Sequence, residues 1–566
     1  MNHLDIVSLK SRLVLQAHVR DHKHSGTKQQ FLSNIPKILE QLGILTQLRN
    51  ATYATTDAST TTSTHTTAIP PLTPTSATTT KSSPSSSSSS SLPSPLSSSF
   101  SSSLSPSTSN FASTLSTPVS PSDRLRVLQH GTTICSDELD CVRRARNQWE
   151  EGICEEVNAL AEEQGRPLAR LRTSATIAND EKRRESMSAV EQQATRRFLF
   201  DGEDLLEAIL QIDVTNRSRH ASSSYVWGVI KVMLKTPTLH DLQITFHELN
   251  PTYRQTGIDE TMHTGGDVWA DRRLRSGTKI CNAGYVGVMR RFSKRGIPPS
   301  IRPDMWRKLL GVKRGQHEAN YFRMLQQQVG RVDCLVDQLF RMDVEHCLDD
   351  DSYFPFDEFI ETVTMVFSRD PSVYDRCVER VHPRIVGYTK NGKEVGNVPP
   401  CGVQPFRGLV NYVAPLSFVF SEAEDAFFVF REMFVKYWCK LNTISGNKSS
   451  IVYLGKLFED LLQEHDSNLV HHLLFVGIPP LQIAFSWIQL AFVGYLQVDQ
   501  VLQLWDRMLG FGPENGLMLL PILAASIFVF RSKTLMAASD IQDVKDILGD
   551  PSRLKVAVLL QHFFRK

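Results

Sequence analysis

The chain has 566 residues, enough for more than one domain and for a large buried core. Its 62 Lys and Arg nearly cancel its 60 Asp and Glu, leaving a net charge of +2, so no bulk electrostatic attraction to nucleic acid is implied. Nine cysteines without a CxxC pair argue for reduced thiols in the cytosol and against a zinc site.

In chain order, residues 1–50 lack the apolar run of a secretory signal. They pattern as two short amphipathic helices, with Leu9, Leu13 and Val14, then Phe31, Ile35, Ile38, Leu39 and Leu42 on the apolar faces. Residues 51–123 are Ser, Thr and Pro almost throughout, cannot bury enough surface to fold, and read as a disordered linker or insertion. Helical patterning resumes around Val127, Leu128, Trp149, Ile153, Val157 and Leu160, and a mainly helical region is expected over 124–265. Within it, residues 224–234 (SYVWGVIKVML) are rich in Val, Ile and aromatics and are closed by Thr236-Pro237, which makes them the best strand candidate.

From residue 266 to the end, helix signals are dense. The tract 290–315 is basic, and a Gly-Pro break at 296–299 resets its helix. Beyond the break Arg302, Trp306, Leu309 and Leu310 share one face, with Trp306 expected to plug a core and Arg302 to cap or pair nearby. A solvated helix face accounts for the remaining cations better than a contact with anionic lipid. The acidic stretch 335–351 lacks the alternating D-x-D-x-D-G spacing of a calcium loop, so no metal site is expected there.

Residues 404–420 (QPFRGLVNYVAPLSFVF) carry a single charge, Arg407. From Gly408 onward Leu409, Val410, Val413, Leu416 and Val419 fall at helical spacing, predicting a buried helix bent at Pro415 with Arg407 at its mouth. Residues 473–498 are uncharged and long enough to suggest a membrane span. Pro479 and Pro480 cut the stretch, and Gln482, Ser486, Gln489 and Gln497 would face lipid at a cost, so buried globular helices are expected and no transmembrane segment. No GxxxxGK[ST] loop occurs, and the glycines of 510–516 follow a helix without a strand before them, so the chain does not read as a nucleotide hydrolase itself.

Taken together, Arg302-Pro-Asp-Met-Trp306, Phe340-Arg-Met-Asp343-Val-Glu-His346, Pro405-Phe-Arg407-Gly408, Phe485-Ser-Trp487 and Trp505-Asp506-Arg507 occur in an order and spacing that resembles the TBC domain. That family comprises GTPase-activating proteins for Rab GTPases, and the resemblance covers about the last half of the chain. It implies an all-α, multi-helix TBC-like domain with C-terminal helices over 266–566, preceded by the mainly helical region with its disordered insertion. It also implies a Rab-family GTPase as partner, a role in vesicle trafficking, and a cytoplasmic location with no more than peripheral endomembrane association. No cofactor is implied on this chain, because GTP and Mg²⁺ belong to the partner.

The family's mechanism, as the resemblance implies it, inserts an arginine from an IxxDxxR motif and a glutamine from a YxQ motif beside the γ-phosphate. An arginine finger is worth about 10³ to 10⁵ in rate. Here Asp343 keeps the motif aspartate, His346 stands at the arginine position, and Phe340 replaces the first residue. At the second motif Pro405 replaces the tyrosine and Arg407 the glutamine, while Gly408, Ala414 and Pro415 keep the frame. A histidine is shorter than arginine and carries little charge near neutral pH. An arginine has only donors and cannot orient a water by accepting its proton. The resemblance therefore assigns His346, Arg407 and Asp343 to the catalytic positions, and Arg302, Trp306, Gly408, Trp505 and Asp506 to Rab-binding or structural ones. It implies a Rab-GAP-like regulator with altered or weak catalysis, or alternatively a non-catalytic Rab-binding scaffold or competitor.

Overall fold

A computed structural model describes residues 136–174, 197–212, 228–258, 266–348, 357–388 and 394–565, apart from 233 and 552, with three isolated positions between 176 and 182. The expectations for residues 1–50 and 51–123 lie outside these. The first half supplies helices α1 (Ser136–Gln164), α2 (Gly202–Leu210), α3 (Leu239–Thr245), α4 (Gly266–Ala283), α5 (Val286–Ser293), α6 (Arg302–Leu310) and α7 (Gln316–Arg331). The second supplies α8 (Asp337–Leu348), α9 (Asp357–Ser368), α10 (Ser372–Arg376), α11 (Ala423–Lys436), α12 (Ile451–His465), α13 (Ser467–Val476), α14 (Pro480–Gln489), α15 (Val498–Asn515), α16 (Leu519–Leu535), α17 (Ile541–Gly549) and α18 (Val556–Phe563). Among the described residues, strands are confined to two antiparallel ladders. One pairs β1 (Ala169–Leu171) with β2 (Val332–Cys334), the other β3 (Val386–Tyr388) with β4 (Glu394–Asn397). The fold is all-α.

Sequence chemistry sets the helix ends. Asp201 accepts hydrogen bonds from the N–H groups of Glu203 and Asp204 while the Asp204 carboxylate reaches back to the Asp201 N–H, a capping box that starts α2. α6 stops where Gly311 turns left-handed at φ 77°, a conformation that costs glycine little. α16 is apolar on every side, and Leu519 through Phe528 are all buried, as a central helix must be. This explains why Val498–Leu535 is long and apolar enough to span a membrane: 67% of its most apolar window is buried inside the fold. The uncharged stretch 473–498 likewise bends by 104° between α13 and α14, with Leu473, Leu481 and Ile488 fully buried.

One continuous core joins residues on both sides of the 265/266 division, from Cys141 to Phe564. Trp306 and Trp505 are fully buried and Trp487 nearly so, the last stacked on Tyr495 at 4.1 Å. α5 packs tightly on α15, where a Cβ on Gly510 would lie 2.5 Å from the Lys294 nitrogen, so only glycine fits. Much of the basic tract is engaged inside the molecule. Lys294 pairs with Glu248, Arg302 with Asp506, and both Arg307 and Arg314 with Asp425.

Two expectations are corrected. Residues 404–420 are largely buried, Arg407 and Phe418 excepted, but not as an α-helix; they form 3₁₀ turns at Val410–Tyr412 and Ala414–Phe418. Gly408 is left-handed at φ 98°, and the N–H groups of Gly408 and Val410 are taken by a side chain. Pro415 in the first turn of the second element has no N–H to offer. The strand candidate 224–234, where it is described, is not paired in a ladder. The Glu459 carboxylate instead accepts from Val229 N–H at 2.7 Å and Ile230 N–H at 3.3 Å, standing in for a neighbouring strand. Burial pushes that carboxyl up to about 7 in spite of both hydrogen bonds.

Candidate functional site

A cavity of about 440 Å³ opens between the start of α2, the middle of α8, the 407–414 loop and α14 with the turn after it. Asp343, His346, Arg407 and Gly408 all line it, so four residues singled out from the sequence converge on one place. The helix explains half of this: Asp343 and His346 are three apart on α8 and therefore share a face. The other half comes from Asp343 itself. Its two oxygens accept from Gly408 N–H at 2.7 Å and Val410 N–H at 2.8 Å, tying the 407–414 loop to α8.

Asp343 is buried, and burial raises its carboxyl to about 7, although the loop N–H groups and the nearby Arg407 charge pull the other way. Arg407 does not pair with it. The guanidinium is exposed and makes no hydrogen bond or ion pair among the described residues. The backbone is held all the same, since Arg407 N–H donates to Phe200 O at 3.2 Å. Phe406, fully buried, stacks on Phe200 at 5.3 Å above His382, whose ring burial holds neutral by lowering it to about 3. His382 Nδ1 accepts from Gln404 N–H at 2.9 Å. His346 is exposed, its ring 5.3 Å from that of Phe198.

Asp343→Asn should therefore destabilise the fold by about 1–3 kcal/mol, because an amide offers one acceptor where two N–H groups converge. Urea denaturation measures this. The pH dependence has a definite sign. A carboxyl raised in the folded state contributes stability that is fully present below its unfolded value near 4 and is lost as pH rises through about 7. The wild-type advantage over Asp343→Asn should accordingly shrink as pH rises from about 4 to about 7.

The second group predicted from sequence gathers in the core. Asp506, fully buried, receives Arg302 Nε at 2.9 Å, Arg302 Nη2 at 2.9 Å, Trp306 Nε1 at 2.8 Å and Ile297 N–H at 3.1 Å. Trp505 packs 6.2 Å from Trp306 and 5.0 Å from Trp438, and its Nε1 donates to Ala491 O. Arg302, Trp306, Trp505 and Asp506 are thus a structural knot with no free face for a partner. Gly408 belongs to the cavity group.

Sequence reasoning missed the α2 wall. Asp201, Gly202, Glu203 and Leu206 line the cavity, and Gly202 lies so close to Gln489 that a Cβ would sit 2.2 Å from its Oε1. The available signal was Asp201-Gly-Glu-Asp204 before a Leu-Leu-Glu-Ala-Ile-Leu run, a helix start with an apolar stripe. Nothing in it names the distant loop it packs on. Among the described residues, no group of three or more His, Cys, Asp or Glu could hold a metal.

A sequence profile of the Rab-GTPase-TBC domain matches residues 404–536. TBC1 domain family member 19 of Homo sapiens is 33% identical over 456 residues, covering 79% of this chain and 84% of the human protein. A TBC domain-containing protein kinase-like protein of Dictyostelium discoideum is 24% identical over 247 residues, 43% of this chain and 21% of its own length. Among solved structures, the Ypt/Rab-GAP domain of Gyp1p aligns over 52% of this chain and 97% of its own at 16% identity and a TM-score of 0.39. The Chlamydomonas flagellar RabGAP TBC domain aligns over 54% and 94% at 14% identity and a TM-score of 0.37.

Proposed function

This chain belongs to the Rab-GTPase-TBC domain family, and from that premise we propose that it regulates Rab-family GTPases in vesicle trafficking. On this reading it engages a GTP-loaded Rab at the cavity between α2, α8 and α14. Catalysis there is weak or altered, because neither finger position holds the family's side chain. The observation that carries the reading is the convergence of His346 and Arg407 on one cavity, with the loop that starts at Arg407 fastened to Asp343. Arg407 brings a fixed charge able to stabilise phosphate oxygens but cannot accept a proton from water. The chain needs no cofactor, since nucleotide and Mg²⁺ arrive with the partner. We place its action in the cytoplasm, with any endomembrane contact peripheral.

A second reading, a non-catalytic Rab-binding scaffold or competitor, draws support from the carboxylates of Asp201 and Glu203 on the same cavity, which oppose an incoming phosphate. A screen of the full chain against a Rab panel tests both, measuring binding to GTP-loaded forms and single-turnover hydrolysis. The expected result is binding to at least one Rab, with stimulation far below the roughly 10³- to 10⁵-fold of an intact finger. Binding without any stimulation selects the scaffold. Absence of binding across the panel rejects both.

A further inference from the structure

Two opposite charges share the cavity without meeting. Arg407 and Glu203 both line it, both side chains are exposed, and neither makes a hydrogen bond or ion pair among the described residues. Asp201, the third exposed or half-buried charge on the wall, has its carboxylate occupied in capping α2. Glu203 is therefore the unengaged anion on the cavity that Arg407 also lines. Salt screens such charges only over about 8 Å at physiological ionic strength. On a shared cavity wall the carboxylate lowers the potential that an anion approaching Arg407 would feel.

The wall is fixed to the finger loop. Leu205 and Ile209 of α2 are buried, and Phe200 just before it wedges between Phe406, His382 and Trp149. Phe200 O holds the Arg407 N–H at the same time. The segment that holds the backbone of Arg407 is thus the one that carries Glu203 to the same cavity. These residues lie some 200 positions before the loop, outside the stretch that matches the family profile.

We infer that Phe198–Leu210 is a built-in wall of the GTPase-binding site, in which Phe200 positions Arg407 and Glu203 acts as an electrostatic brake on the approach of the partner's nucleotide phosphates. This rests on the proposal that a GTP-loaded Rab docks here. The brake lowers affinity for the triphosphate form more than for the diphosphate form, because the former brings more negative charge to the cavity.

The test uses the full chain and every member of a purified Rab panel, loaded with GDP or with a non-hydrolysable GTP analogue. Glu203→Lys should raise affinity for the triphosphate form about three- to tenfold, with a smaller gain for GDP, and the gain should fade in 0.5 M salt as screening predicts. Glu203→Gln should give a smaller gain of the same sign. A change below twofold, or one that survives high salt, overturns the brake. Phe200→Leu, which retains apolar volume but removes the stack, should reduce the triphosphate preference of whichever Rab binds; an unchanged preference overturns the positioning role. Failure of the docking proposal looks different, since then neither wild type nor Glu203→Lys binds any panel member in either nucleotide state. A parallel measurement does not depend on a Rab. Amide exchange of 202–210 should be as slow as that of α12, and fast exchange there would remove the fixed wall on which the inference stands.

Discussion

Asp506→Ala should destabilise the protein by about 3–5 kcal/mol, the cost of stranding a buried cation. The carboxylate is enclosed and receives four donors, so its removal leaves the Arg302 guanidinium, the Trp306 indole N–H and the Ile297 N–H facing a void. Natural domains have only about 5–15 kcal/mol in hand, so a loss of this size brings the chain close to unfolding at ordinary temperature. Denaturant midpoints compared at equal slope give the number. The double variant Arg302→Met with Asp506→Ala should recover much of the loss, because removing both charges also removes the desolvation cost of the survivor. A single-variant cost below about 1 kcal/mol would mean that water reaches Arg302 and that the knot is not closed.

The second large effect concerns chemistry. His346→Arg together with Arg407→Gln should raise hydrolysis on a Rab that the wild type binds, toward the roughly 10³- to 10⁵-fold, or about 4–7 kcal/mol, attributed to an arginine finger. The backbone argues that both new side chains would start from serviceable positions. Position 346 lies one turn beyond Asp343 on the cavity face of α8, and position 407 is fixed by hydrogen bonds on both sides, from Arg407 N–H to Phe200 and from Gly408 N–H to Asp343. Stopped-flow phosphate release under single-turnover conditions reads the result. If hydrolysis stays flat while binding persists, the loop and α8 no longer present side chains at the γ-phosphate, and the substitutions followed a drift of the frame.

The site was legible in part because motif residues are spaced by local geometry. Asp343 and His346 sit three apart on a helix, and that relation is visible in the letters. The meeting of α8 with the 407–414 loop was legible only through family resemblance, since hydrogen bonds from Gly408 and Val410 to a carboxylate more than sixty residues earlier leave no periodic trace. Periodicity reports burial better than hydrogen-bond type. Leu409, Val410, Val413 and Leu416 are all buried, as their spacing implied, yet the backbone chose 3₁₀ turns because Asp343 and Pro415 alter which N–H groups are available. The same limit explains 228–232, whose β-branched composition predicts a strand, whereas the N–H groups of Val229 and Ile230 are taken by the Glu459 side chain and no ladder forms. Arg302 and Asp506 show a third case. Both are motif members, but the partner of Arg302 is visible only in the fold, which brings Asp506, 204 residues away in sequence, to 2.9 Å in space.

The continuous core has an effect on how faults in this chain would be noticed. Ile230 seats its Cδ1 against Gly455 of α12, at 2.7 Å from where a Cβ there would be, and Phe246 packs edge-on against Phe511 at 4.7 Å and lies 5.8 Å from Phe564. Neither residue belongs to the stretch by which the family is recognised, yet each fills a space that the recognisable part cannot close alone. A fault at Ile230 or Phe246 would leave every motif residue unaltered while raising the unfolded fraction that proteases clear. Its mark in a cell would be scarcity of the protein, with each surviving copy as competent as before.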